Sequence, residues 1–104
     1  MEANSSEPDI VGYTVREAER LENIEDIDQL DILDVQFMVT TDCKVLGVQF
    51  TMTVGGPNIT VNALQETVYG SWAGDTHQTH YRSEVVRDYA NELADMHEQQ
   101  YGGN

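Results

Sequence analysis

The side chains able to do chemistry in this chain are mostly carboxylates. The stretch LENIEDIDQLDILD, residues 21–34, places Glu22, Glu25, Asp26, Asp28, Asp31 and Asp34 close together with no base among them. A second series, Glu84, Asp88, Glu92 and Asp95, recurs at steps of four, four and three. On a helix that spacing makes one stripe, apart from the apolar one. Carboxylates in such rows accept charge-assisted hydrogen bonds from lysine and arginine. Their separation along a helix axis is about 4.5–6 Å, from the rise per residue. Phosphates along a DNA strand advance about 3.4 Å per step of axis, and lie somewhat farther apart than that. A protein that reads phosphates with Lys and Arg can therefore meet such a row as a phosphate row. These ten residues are the candidate partner-binding set, and a basic protein surface is the partner they imply.

Other groups carry weaker signals. Asp75, His77 and His80 form D-T-H-Q-T-H, and two imidazoles three apart on a helix share a face that could hold a metal. In a loop, with no third ligand fixed by spacing, they read as no metal site. Cys43 beside Lys44 reads as an incidental turn cysteine. Gly55-Gly56-Pro57-Asn58 lacks the Lys-Ser/Thr and following helix of a phosphate loop and reads as a tight turn. Trp72, Tyr69 and Tyr81 read as packing between the sheet and the last helix, or, if exposed, as a binding patch. With no acid–base pair or activated nucleophile, the chain reads as not an enzyme, with no cofactor.

The elements that must position these residues follow from periodicity. Residues 1–12 read as a flexible acidic arm, and residues 13–101 as a single domain. Thr14-Val15-Arg16-Glu17 has capping-box spacing and predicts the start of the first helix, with Val15, Ala18 and Leu21 buried. Beyond Asn23 the apolar step becomes Ile24, Ile27, Leu30, which drifts around a helix and predicts a bend or separate turn. Strands are predicted at 32–40, at 45–54 with Leu46, Val48, Phe50, Met52 and Val54 on one face, at 59–64 and at 67–72. Residues 73–82 read as a polar loop. Ser83 caps a last helix to about Gln100, with Val85, Tyr89, Leu93 and Met96 as its buried stripe. The expected fold is α+β: a four-stranded antiparallel β-meander flanked by an N-terminal and a C-terminal α-helix, in the order α-β-β-β-β-α.

The chain has 104 residues, 19 acids against 5 bases and a formal net charge of −14. Residues 1–34 hold eleven of the acids, and residues 43–65 hold none. Such a field repels nucleic acid and anionic membrane and attracts cationic protein surfaces. Salt adaptation gives a similar composition but spreads acid evenly. One cysteine excludes an internal disulfide and fits a reducing, cytoplasmic setting. No apolar run reaches the length of a membrane span.

The segment VGGPNITVNALQETVYGSWAGD, residues 54–75, resembles a motif in small uncharacterised proteins of phages, plasmids and other mobile elements. Gly55, Gly56, Pro57, Asn58, Ile59, Val61, Val68, Gly70, Trp72, Gly74 and Asp75 carry the likeness. It implies a β-hairpin module, not an active site. In size, charge and provenance the chain is similar by character to anti-CRISPR and anti-restriction inhibitors, some of which are DNA mimics. The resemblance implies an inhibitor acting in the host cell cytoplasm on the DNA- or RNA-binding channel of a defence nuclease complex. Such a protein would be a monomer or homodimer, with no direct contact to nucleic acid or membrane. The alternative is a non-enzymatic binding or assembly module whose acidity is salt adaptation or solubility.

Overall fold

A computed structural model describes residues 9–101. The chain runs through α1 (Ile10–Asn23), a 3-10 turn (Ile27–Gln29), β1 (Asp34–Val39), β2 (Val45–Thr53), β3 (Asn58–Asn62), β4 (Thr67–Trp72), β5 (Asp75–His80) and α2 (Glu84–Tyr101). The five strands form one antiparallel sheet in sequence order. The α+β class and the meander stand, but the sheet has five strands, not four.

The extra strand is the segment read as a polar loop. Its alternation is invisible because both of its faces are polar. Thr79 points toward α1, where its hydroxyl donates to Thr14 Oγ1 (3.0 Å). Thr76, Gln78 and His80 point to the other side of the sheet, from their register with Ser71, Tyr69 and Thr67. Trp72-Ala73-Gly74-Asp75 makes the hairpin, with Ala73 and Gly74 at φ 53° and 89°, the two positive values that a two-residue turn of primed type needs.

The first helix begins four residues before the expected cap. Asp9 is the N-cap and accepts from the Val11 N–H. Ile10 is buried, so residues 10–12 are not part of a flexible arm; the rest of that expectation falls on residues 1–8, outside the described ones. Thr14 sits fully buried inside the helix, its hydroxyl donating to the Val11 carbonyl (2.9 Å). The capping box occurs instead at the 3-10 turn, where Asp26 and Gln29 satisfy each other's backbone.

Both helices lie on one face of the sheet. α1 packs on β4 and β5 and α2 on β2. Val48, Phe50, Ile59, Val61 and Val68 face them, together with Leu21 and Val86. Burying each such side chain contributes roughly 1.5–3 kcal/mol. Gly70 is the seat of α1: a Cβ there would stand 2.6 Å from Ile10 Cδ1 and Thr14 Cγ2. The buried stripe of α2 is Val86, Ala90 and Ala94, not the expected one. Small residues let the helix approach the sheet, Val85, Tyr89 and Leu93 flank it half-buried, and Met96 is 57% exposed. On β2, Val48, Phe50 and Met52 share the core face as expected. Leu46 is exposed because a bulge shifts the register there, and Val54 because it lies past the strand end.

Candidate functional site

Nine of the ten candidate carboxylates belong to the helical layer and its connection to β1. Glu22 lies in the last turn of α1, and its carboxylate accepts the Arg82 N–H (2.9 Å), tying the end of α1 to the approach to α2. Glu25, Asp26 and Asp28 surround the 3-10 turn. Asp26 is its N-cap, accepting from the Asp28 N–H (2.9 Å), so this acid also holds the backbone. The turn packs against α2. The first acidic run is thereby brought beside the helix that carries Glu84, Asp88, Glu92 and Asp95. Asp31 follows between buried Leu30 and half-buried Ile32.

Asp34 stands apart. It opens β1 with its side chain on the sheet face away from the helices, in register with Thr51. All ten are exposed. Among the described residues the ion pairs are Arg20–Glu17 (3.1 Å) and Arg87–Glu66 (3.4 Å), and neither uses one of the ten.

Two acids outside the set are structural. Glu98 of α2 accepts the Val45 N–H (2.7 Å), pinning the helix to the start of β2. Glu66 accepts the Ser83 N–H (3.0 Å) and pairs with Arg87, fixing the start of α2. Neither role was visible in the sequence, because both link residues far apart along the chain. In the β1–β2 turn the Thr40 hydroxyl donates to Asp42 and holds that carboxyl below its ordinary range.

The remaining candidates separate. His77 pairs with Gly70 and His80 with Thr67. Residues three apart on a strand point to opposite faces, so the two imidazoles do not converge. Among the described residues no group of three or more His, Cys, Asp or Glu could hold a metal ion. His97 stacks between Phe37 and Tyr101, with ring centroids at 4.3 and 4.7 Å. Cys43 occupies a positive-φ turn position.

Nor do the three aromatics make a patch. Tyr81 is buried, Tyr69 lies on the open sheet face, and Trp72 covers Gly56, where a Cβ would be only 1.9 Å from the ring. Burial pushes the Tyr81 hydroxyl well above the usual tyrosine range, and the charge of Glu66 adds to this. Trp72 and Gly70 thus give the hairpin segment its structural logic. Asn58 adds to it by accepting the Gly55 N–H (3.1 Å).

The open sheet face differs in chemistry. Gln36, Gln49, Thr51, Asn58, Thr60, Asn62, Tyr69, Ser71, Thr76 and Gln78 project there by register, and Asp34 is the one acid among the strand residues on that side. Asn58, Thr60, Tyr69, Ser71, Thr76 and Gln78 line a shallow groove of ≈ 610 Å³. Among the described residues no helix is long and apolar enough to cross a membrane. No family model, curated protein or solved structure matches the chain.

Proposed function

We propose that this chain is a non-enzymatic inhibitor that docks its acidic helical side on the basic nucleic-acid-binding channel of a bacterial defence nuclease complex, in the manner of an anti-CRISPR DNA mimic. One observation carries the reading: acid is concentrated on one side of the molecule. Nine of the ten candidate carboxylates occupy the helical layer and its link to β1, exposed and outside the ion pairs among the described residues. The opposite face is nearly free of acid. Adaptation to salt predicts acid on every exposed face and does not account for this asymmetry.

Each carboxylate acts as an acceptor for Arg or Lys of the partner. Association is fast and weakens as salt rises. The test is competition for DNA or guide-loaded effector complexes at low and high salt. Displacement at low salt that fades at high salt, and is lost when Glu84, Asp88, Glu92 and Asp95 are made neutral, is the expected result. Failure to displace nucleic acid from any such complex at low salt sinks the reading.

A second reading has its own support in the uncharged groove on the open face. In it the protein is a binding or assembly module, and the acids serve solubility. It predicts that neutralising both acidic runs leaves partner binding intact.

A further inference from the structure

The sheet has two edges, and they are unlike. β5 carries Asp75, Thr76, His77, Gln78, Thr79 and His80, all polar. β1 reads Asp-Val-Gln-Phe-Met-Val, with Met38 63% and Val39 43% exposed. An apolar edge with neither proline nor lysine lacks two of the usual protections against pairing with another strand, and the bulge in its ladder puts the extra residue, Leu46, on β2 rather than on β1.

The ladder shows which groups β1 leaves outward. Thr40 N–H donates to the Lys44 carbonyl (2.9 Å) and Leu33 N–H to the Thr51 carbonyl (2.8 Å). Across β2, Ala63 N–H donates to the Val48 carbonyl (2.8 Å). Bonding alternates along a strand. Residues 47, 49 and 51 therefore bond to β1, and Asp34, Gln36, Met38 and Thr40 aim their backbone groups inward at β2. Val35, Phe37 and Val39 aim theirs at the open edge.

We propose that β1 pairs antiparallel with β1 of a second copy of this chain, about a two-fold axis at Phe37. Val35 then faces Val39 of the other copy, and each copy's outward N–H and C=O groups find partners. The register keeps side-chain faces matched, so both helical layers lie on the same side of a continuous sheet.

Local charge at the two ends of β1 complements this occupant, against the repulsion that net −14 on each copy brings. Acid marks one end of β1, at Asp31 and Asp34, and the chain's one lysine, Lys44, marks the other. Antiparallel pairing sets Asp34 opposite Thr40 of the second copy, and Lys44 is the ladder neighbour of that threonine. Asp34 and Lys44 then share the open face, two strand spacings or about 10 Å apart at the backbone, which a lysine side chain bridges. The two Asp34 carboxylates stay at opposite ends of the paired strands. Asp42 shares the turn with Lys44 and leaves it neutral overall. The inference does not depend on the proposed target of the acidic side.

The test is sedimentation of the full chain over a wide concentration range at moderate salt, with amide exchange read residue by residue. A dimer with slow exchange at Val35, Phe37 and Val39 is expected. Val39→Pro removes an N–H that points away from β2, a position where edge strands tolerate proline. It should give a folded monomer with fast exchange at Val35 and Phe37. Lys44→Glu should weaken the dimer at least tenfold. Gln78→Pro makes the same change on β5 and should leave the dimer intact. If Val39→Pro does not fold, Val39→Asp supplies the same disruption through charge. A monomeric wild type overturns the proposal, as does a dimer that survives the β1 variants or dissolves with Gln78→Pro.

Discussion

The two faces of the sheet solve different problems with the same backbone. The helical face is filled by Val48, Phe50, Val61 and Val68 and roofed by α2, whose outer side is acidic, and by α1, whose outer side mixes Val11, Val15, Arg16 and Arg20 with Glu19 and Glu22. The open face is mostly hydroxyl and amide, with Met38 and His80 among them, and from β2 to β5 it carries no acid. Antiparallel sheets commonly cover one face and wet the other. What this molecule adds is the placing of its charge. Mutual repulsion among so many acids costs stability, and the cost is concentrated on the roof rather than shared. The lesson is that net charge alone misdescribes the molecule, because one side is strongly anionic and the other nearly neutral.

The largest expected effect breaks the contact between roof and sheet. Gly70→Ala forces a Cβ into Ile10 and Thr14 and should cost about 3 kcal/mol in denaturant unfolding, at the upper end for overpacking. Making Glu84, Asp88, Glu92 and Asp95 neutral should weaken binding to a cationic partner about a hundredfold. A charge placed at Thr60 on the open face should leave that binding unchanged. If Thr60→Glu has the larger effect, the binding face has been misassigned. Added salt should stabilise the wild type by about 1 kcal/mol through screening, and the response should shrink in the four-residue variant.

The smallest effect concerns Tyr81, whose hydroxyl is buried with no hydrogen-bond partner among the described residues. Tyr81→Phe should be neutral or stabilising by about 1 kcal/mol near neutral pH, since it removes an unsatisfied group. The unfolded chain releases this proton near the ordinary value of 10.0, and the folded chain holds it to higher pH. Stability is therefore whole below that value and falls as pH rises past it. Thermal unfolding followed upward from that pH should show the fall in the wild type and a weaker one in Tyr81→Phe.

Four strands, the last helix and its Ser83 cap were legible, because β-branched alternation and turn residues mark them. Ser83 Oγ accepts the Val86 N–H (3.3 Å) as the spacing implied. β5 was not legible, since its inward Thr79 satisfies a hydroxyl rather than an apolar neighbour. The helix start is not legible at Thr14, because a threonine followed three residues later by glutamate looks the same when the hydroxyl bonds backward inside a helix. The stripe of α2 is not legible from its larger side chains, because the buried positions are Val86, Ala90 and Ala94, two of them small. The exposure of the ten acids followed from their charge. Their partition, with Asp34 alone on the far face, followed from strand register, which no local pattern encodes.

The chain has a single tryptophan, and its indole occupies the space that any side chain at position 56 would need. The emission of that indole is therefore an intrinsic gauge of whether the β2–β3 turn is closed against β4. Because the residue lies in β4, three strands from the β1 edge, its signal can separate loss of folding from loss of pairing at that edge in one cuvette, without a label.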